Sequence, residues 1–227
     1  MKTFAFIFAR GGSKGIKNKN IVKINNKPLI YYPIKMAKKM TEIDEVYVSS
    51  DSNSILNIAK KLGAKIIVRP KNISNDKSPE LLAWKHAVKF LKKQKISFDI
   101  FLSLPTTAPL RSIIDIKKIL KSIKKKNVDY VITAKKSKNT PWFNMIKKKR
   151  NGYFKKVIST NRKFNTRQQV PLTFDMTTVG YASKPGYILK SNDMMKGNVK
   201  IVEIPEQRAL DIDTLFDLKL AKLLIKQ

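Results

Sequence analysis

Three of the chain's eight glycines fall within five positions, in Arg10-Gly11-Gly12-Ser13-Lys14-Gly15-Ile16-Lys17-Asn18-Lys19-Asn20. The run before them, Phe4 to Ala9, is apolar and strand-like. A strand that enters a Gly-, Ser- and Lys-rich loop can receive phosphate. Glycines let backbone N–H groups close on the anion, and Arg10, Lys14 and Lys19 supply charge. The spacing matches neither the Walker A loop nor the GxGxxG dinucleotide fingerprint, so a flexible basic loop without a ligand is the competing reading. Near the other end stands Asp211-Ile212-Asp213-Thr214. In an extended segment, positions i and i+2 point to one face. Two carboxylates there repel unless a cation intervenes. Hard oxygens of this kind suit Mg²⁺, which takes one or two carboxylates together with substrate phosphates. The alternative makes Asp213 the N-cap of a terminal helix and leaves Asp211 solvated. The phosphate loop weights the choice toward metal.

Four further segments present polar groups: Ser49-Ser50-Asp51, Arg69-Pro70 with Asp76, Leu104-Pro105-Thr106-Thr107-Ala108-Pro109-Leu110-Arg111, and Arg167-Gln168-Gln169-Val170-Pro171. Arginine is scarce, at seven residues against 41 lysines. In a chain that uses lysine by default, an arginine marks a place for planar, bidentate donation to phosphate or carboxylate. Arg150 and Arg162 read instead as surface charges. His86, the single histidine, builds neither a zinc site nor a Ser-His-Asp triad, and a structural or lining role is its default.

These segments need a scaffold, and strand and helix patterns alternate to provide one. Strands are expected at residues 3–9, 45–50, 65–68, 99–104, 130–134, 179–182 and 199–204. Helices are expected at 29–39, 54–62, 79–93, 113–125 and 215–225, with Gly63 stopping the second and Ser78-Pro79 forming an N-cap and N1 pair for the third. The succession implies an α/β fold: a Rossmann-like, mostly parallel sheet with helices on both faces. In such sheets ligands bind beyond the carboxyl ends of the strands, where the polar segments fall. The pattern breaks at 135–174, rich in Lys, Asn, Thr and aromatics. We read one domain over 1–227 with a small insertion at 135–174, made of short strands or hairpins, that carries a subunit interface or covers the site.

Composition bounds the rest. With no cysteine there are no disulfides, thiolate metal sites or Cys nucleophiles. No apolar run is long enough for a membrane span, and no signal sequence is evident, so a cytoplasmic protein is expected. The net charge of +32 invites a nucleic-acid reading. The lysines, however, are spread along the chain on polar helix faces rather than gathered into an Arg-rich stripe with aromatics between. Specific nucleic-acid function is therefore not expected, only weak adhesion to polyanions.

Taken in order, the glycine loop, Pro109-Leu110-Arg111, Arg167-Gln168-Gln169-Val170-Pro171 and Asp211-Ile212-Asp213-Thr214 resemble the acylneuraminate cytidylyltransferase family, the CMP-sialic acid synthetases and their relatives for other nonulosonic acids. The resemblance runs over essentially the whole chain. It implies a nucleotide-diphospho-sugar transferase fold with a dimerisation insertion, a homodimer, and Mg²⁺-dependent formation of a CMP-sugar and pyrophosphate from CTP and a 2-keto sugar acid. It implies that Arg10, Gly12, Ser13, Lys14 and Lys19 hold the CTP phosphates, that Asn20 contacts the nucleotide, and that Arg69 and Ser78 help bind cytidine. Pro105, Thr106, Arg167, Gln168 and Tyr181 would face the sugar acid, and Asp211 and Asp213 the metal. Arg10, Lys19 and Asp211 would carry the catalytic roles. Two positions depart from the family pattern: Pro105 replaces a glutamine that touches the acid, and Thr177-Thr178-Val179 replaces Asn-Gly-Ala before the pocket tyrosine. Both lie on the sugar side, so the nucleotide half of the expectation is the firmer one. The rival readings are a nucleotidyltransferase for another sugar acid or sugar phosphate, and an inactive nucleotide-binding relative.

Overall fold

Phe4, Phe6 and Phe8 alternate with Ala5, Ile7 and Ala9, and that period of two sends the rings to one face of the first strand and the aliphatic residues to the other. The computed structural model describes residues 1–13, 15–161, 164 and 166–225. In chain order it contains β1 (Thr3–Phe8), β2 (Lys23–Ile24), β3 (Lys27–Pro28), α1 (Tyr31–Lys39), β4 (Glu45–Ser50), α2 (Asn53–Lys61), β5 (Lys65–Val68) and α3 (Glu80–Lys93). These are followed by β6 (Ile100–Ser103), α4 (Ile113–Ile123), β7 (Tyr130–Lys136), β8 (Ile146–Lys148), β9 (Phe154–Lys156), β10 (Phe174–Ser183), α5 (Pro185–Lys190), β11 (Val199–Glu203) and α6 (Leu215–Ile225).

Seven strands form the central sheet in the order β11-β7-β10-β6-β1-β4-β5. All pairings are parallel except those of β10, which runs antiparallel to both β6 and β7. From β1 the chain moves outward through β4 to β5, then returns to the other side of β1 as β6. The loops after β1 and β6 therefore diverge at a topological switch point, where an open α/β sheet has its binding crevice. Helices α1, α2 and α4 bury Ile34, Ala59 and Ile119 against the face that carries Ala5 and Ile7. On the opposite face α3 and α5 pack Trp84, Leu91 and Ile188 on an aromatic layer, in which Phe6 stacks on Phe101 at 4.5 Å and on Tyr47 at 5.6 Å. A satellite cluster of Ile16, Ile24, Leu29, Ile212 and Leu218 joins the glycine loop to α6, and so fixes the aspartate segment beside that loop.

Several elements differ from expectation. The helix expected from residue 29 begins at Tyr31, because Asn25 and Asn26 take φ of 47° and 59° and turn the β2–β3 hairpin before it. Pro79, not Ser78, is the N-cap of α3, and Ser78 Oγ donates to the Asn72 carbonyl at 3.3 Å instead. Strand β10 is ten residues long where four were expected, and α5 was not expected at all. Within 135–174, β8 and β9 pair as a separate two-stranded sheet whose six residues are all exposed.

Candidate active site

Four of the six polar segments of the sequence meet over the carboxyl ends of β1, β5 and β6, around a cleft of about 510 Å³. Arg10, Ser13, Lys19 and Asn20 line it from the loop after β1, Arg69 and Ser78 from beyond β5, Pro105 and Thr106 from the loop after β6, and Asp213 from the segment before α6.

Local packing shapes the glycine loop. The Gly11 N–H donates to Asp51 Oδ1 at 3.0 Å, and a Cβ on Gly11 would lie 3.0 Å from Ser52 Cβ. At Gly15 a Cβ would lie 2.8 Å from the Asp213 carbonyl oxygen, an immovable backbone atom. Gly11 and Gly15 are therefore the positions where the loop needs glycine. Gly12 has open space around it and does not line the cleft, and Lys14 lies outside the described residues. Gly15→Ala is expected to push the loop off the aspartate segment. It should lower kcat/KM for the nucleotide by about tenfold, as a displacement of near an ångström does at a positioned site, while the melting temperature of this exposed loop variant stays close to the parent value. Steady-state kinetics beside a thermal melt checks both.

Cation and carboxylate face each other twice across the cleft. Lys19 Nζ lies 2.9 Å from Asp213 Oδ1 and donates to the Ile212 carbonyl at 3.0 Å. Arg10 pairs with Asp76, from the segment that follows Arg69-Pro70. Arg69 is buried and its Nε and Nη2 have no hydrogen-bond partner among the described residues; burial pushes its pKa down, against the pull of Asp51 and Glu80. Three cations thus converge on one cleft, and an incoming polyanion can replace the carboxylates that hold two of them.

Asn20 braces the cleft from below. Its Nδ2 donates to the Arg10 carbonyl at 2.9 Å, and its Oδ1 accepts from the Thr106 hydroxyl. Both ends of its amide are used, and they tie the loop after β1 to the loop after β6. The second loop is closed by Arg111, whose Nε donates to the Ala108 carbonyl at 2.9 Å and whose Nη2 donates to the carbonyl of Pro105 and, at 3.4 Å, to that of Thr178. Burial lowers the Arg111 pKa to about 9, against the pull of nearby Tyr181, Asp211 and Asp115.

Thr178 belongs to a bulge in β10. Thr177 stands opposite Thr133 and Tyr181 opposite the adjacent Ile132, so three extra residues bow out between them. The Thr133 hydroxyl organises the bulge: it accepts from Thr177 Oγ1 at 2.8 Å and from the Gly180 N–H at 3.2 Å. Thr177-Thr178-Val179, one of the two departures from the family pattern, therefore opens this bulge. Tyr181 packs beside it, against Trp84 and Tyr130, and burial raises its pKa.

The two aspartates are only partly brought together. Ile212 is buried between them and donates its N–H to the Thr107 carbonyl at 2.9 Å, as the alternating extended segment requires. Asp213 opens into the cleft, whereas Asp211 lines a second cavity with Lys135, Thr177 and Asp217. Asp213 is not needed as a helix cap. Thr214 and Asp217 fill that role, with Asp217 Oδ2 accepting from the Thr214 N–H at 2.7 Å and Thr214 Oγ1 accepting from the Asp217 N–H at 3.2 Å. Among the described residues no three His, Cys, Asp or Glu side chains cluster to hold a metal on their own. Asp211 Oδ1, however, is buried without a hydrogen-bond partner, an orphaned hard oxygen that a divalent cation would satisfy. Arg167 and Gln168 lie away from the cleft, exposed in a short turn of the inserted region. Glu80, an acidic residue in the first turn of α3 with no further signal in the sequence, also lines the cleft.

Comparison with known proteins agrees with this geometry. The cytidylyltransferase family model matches residues 4–175. CMP-N,N'-diacetyllegionaminic acid synthase of Campylobacter jejuni is 35% identical over 221 residues, covering 96% of this chain and 93% of its own. Pseudaminic acid cytidylyltransferase of the same species is 31% identical over 230 residues, covering 100% and 97%. A solved CMP:2-keto-3-deoxy-manno-octonic acid synthetase complexed with CTP superposes with a TM-score of 0.71 at 16% identity, covering 100% and 99%, and so shares the fold. With three cations gathered at the switch point of a sheet of that architecture, the chain belongs to the cytidylyltransferase family and is a nucleotidyltransferase.

Proposed function

We propose that the protein joins CMP from CTP to a nonulosonic, 2-keto sugar acid and releases pyrophosphate. The observation that carries this reading is the convergence of Arg10, Lys19 and Arg69 on one cleft, with Asp213 at its edge. The names of the two Campylobacter relatives support the acid half, and the CTP-bound neighbour of the same fold supports the nucleotide half.

In the proposed step a hydroxyl of the acid attacks the α-phosphorus of CTP in line. A new O–P bond forms, the bond to the bridging oxygen of pyrophosphate breaks, and the hydroxyl proton passes to solvent. Arg10 and Lys19 neutralise the triphosphate and the charge that builds on the leaving pyrophosphate. Entry of the triphosphate displaces Asp76 and Asp213 from these cations, and Asn20 keeps the two loops in register while it does so. Asp211 and Asp213 would hold Mg²⁺, which when bound supplies Lewis-acid stabilisation of the phosphoryl oxygens. Tyr181 and the Thr106 loop would form the floor and wall of the acid's pocket. Pyrophosphate release with CTP and Mg²⁺ across legionaminic, pseudaminic and sialic acids tests the reading. Release with at least one acid is expected, and none with any of them overturns the substrate assignment.

We place the reaction in the cytoplasm, beside the supply of nucleoside triphosphates; no helix among the described residues is long and apolar enough to cross a membrane. We also read the protein as a homodimer built through the inserted region. The β8–β9 hairpin and its flanks expose Met145, Ile146, Tyr153 and Phe154, a concentration of apolar surface that invites a partner. Ile146→Glu with Phe154→Glu is expected to turn a sedimenting dimer into a monomer, and a double variant that still sediments as the parent dimer sinks this interface.

A further inference from the structure

Arg69 enters the cleft from the end of β5 as a buried side chain whose Nε and Nη2 have no hydrogen-bond partner among the described residues. A buried donor set of this kind costs stability unless something with acceptors arrives to fill it. Glu80, in the first turn of α3, lines the same cleft and adds the complementary half. Its Oε1 accepts from Trp84 Nε1 at 3.1 Å, which fixes the carboxylate and leaves Oε2 available. Arg69 and Glu80 influence each other's charge yet form no ion pair. The space between them is thus bounded by donors on one side and an acceptor on the other. Phe8, Ile73 and Ala83 give it apolar walls for a flat ring.

A cytosine edge presents this pattern in reverse, with acceptors at O2 and N3 and a donor at the N4 amino group. Carboxylates are the natural partners of that amino group. Uracil carries an O4 acceptor in its place, which a carboxylate repels. Solvent reaches Glu80 through the cleft, while the atoms packed around its carboxyl raise its pKa. We propose that Glu80 is a specificity-determining residue that accepts a hydrogen bond from the cytosine amino group, opposite Arg69, and sets the preference for CTP over UTP.

This inference rests on the CTP reading above, so its test uses nucleotide binding alone, with no sugar acid present. Calorimetric titration of the full-length protein with CTP, UTP and N4,N4-dimethyl-CTP, in Mg²⁺ buffer, is set beside the same titrations of Glu80→Gln and Glu80→Ala. The wild type is expected to prefer CTP, and Glu80→Gln to lose on the order of tenfold or more of the CTP-over-UTP ratio, the range of one base-edge contact. Dimethylation should weaken binding in the wild type and cost much less in Glu80→Ala. A merely structural role would lower affinity for all three nucleotides together. An unchanged CTP-over-UTP ratio in Glu80→Gln, or an equal dimethylation penalty in wild type and Glu80→Ala, overturns the role of Glu80. If a variant fails to fold, the wild-type penalty still decides: a dimethyl analogue bound as tightly as CTP sinks the proposal. A wild type that binds CTP no better than UTP overturns the nucleotide reading itself. Intact CTP preference without turnover on any nonulosonic acid would overturn only the acid half.

Discussion

Asp211→Asn is expected to lower kcat on the order of 10²–10³-fold, the scale on which a single stabiliser of transition-state charge acts, and to leave the fold intact. The two halves of that expectation have separate causes. Asp211 Oδ1 is buried and accepts no hydrogen bond, so an amide of the same shape breaks no internal contact. The carboxylate charge is what a divalent cation at the phosphates would require. Residual activity of the variant should therefore demand a higher Mg²⁺ concentration than the wild type. Asp213→Asn should behave differently. Asp213 also pairs with Lys19, so that variant changes the affinity for CTP as well as the metal response. A melting temperature near the parent value with unchanged kcat and unchanged Mg²⁺ dependence in Asp211→Asn would sink the metal assignment.

The parts of this site that were legible in the sequence are those where chemistry and strand ends coincide. Arg10, Ser13, Lys19, Arg69 and Asp213 each follow or precede an apolar run by a few residues, so once the sheet is parallel they must share one edge. The carboxylates at helix starts around the site were harder to see. Glu80 sits in the first turn of α3 and Asp217 in that of α6, where an acidic residue is ordinary helix chemistry and carries no separate signal. The fold shows the same division. Alternation in β1 and the run of β4 mark those strands plainly, whereas β10 breaks its own alternation with the bulge between Thr177 and Tyr181. A period-of-two reading therefore finds only its last few residues. Its antiparallel direction depends on the path of the inserted region, which no local pattern records. The hairpin at Asn25-Asn26 did carry a signal, since paired asparagines tolerate positive φ and favour a tight turn.

Arg111→Met should be the most destabilising single change at the site, at about 3–5 kcal/mol, because it leaves several buried backbone carbonyls without their donor, each at a cost of about 1–3 kcal/mol. The guanidinium is almost entirely buried, and its hydrogen bonds hold the carbonyls of Pro105, Ala108 and Thr178. Methionine replaces the length of the chain but none of the donors, so three acceptors from two loops lose their partner. For a chain of this size a loss of that order lowers the melting temperature by roughly 6–20 °C. The effect should reach function by a specific route. Arg111 ties the loop after β6 to the β10 bulge, and that loop holds Thr106 against Asn20. The bulge has little room to adjust, since a Cβ on Gly180 would already lie 3.0 Å from Ile119 Cδ1. Arg111→Lys keeps the charge but not the fork, and should fall between the parent and Arg111→Met. A thermal melt of Arg111→Met within about 2 °C of the parent, well under the range computed from the same scaling, would show that this loop is held by its packing and not by the arginine.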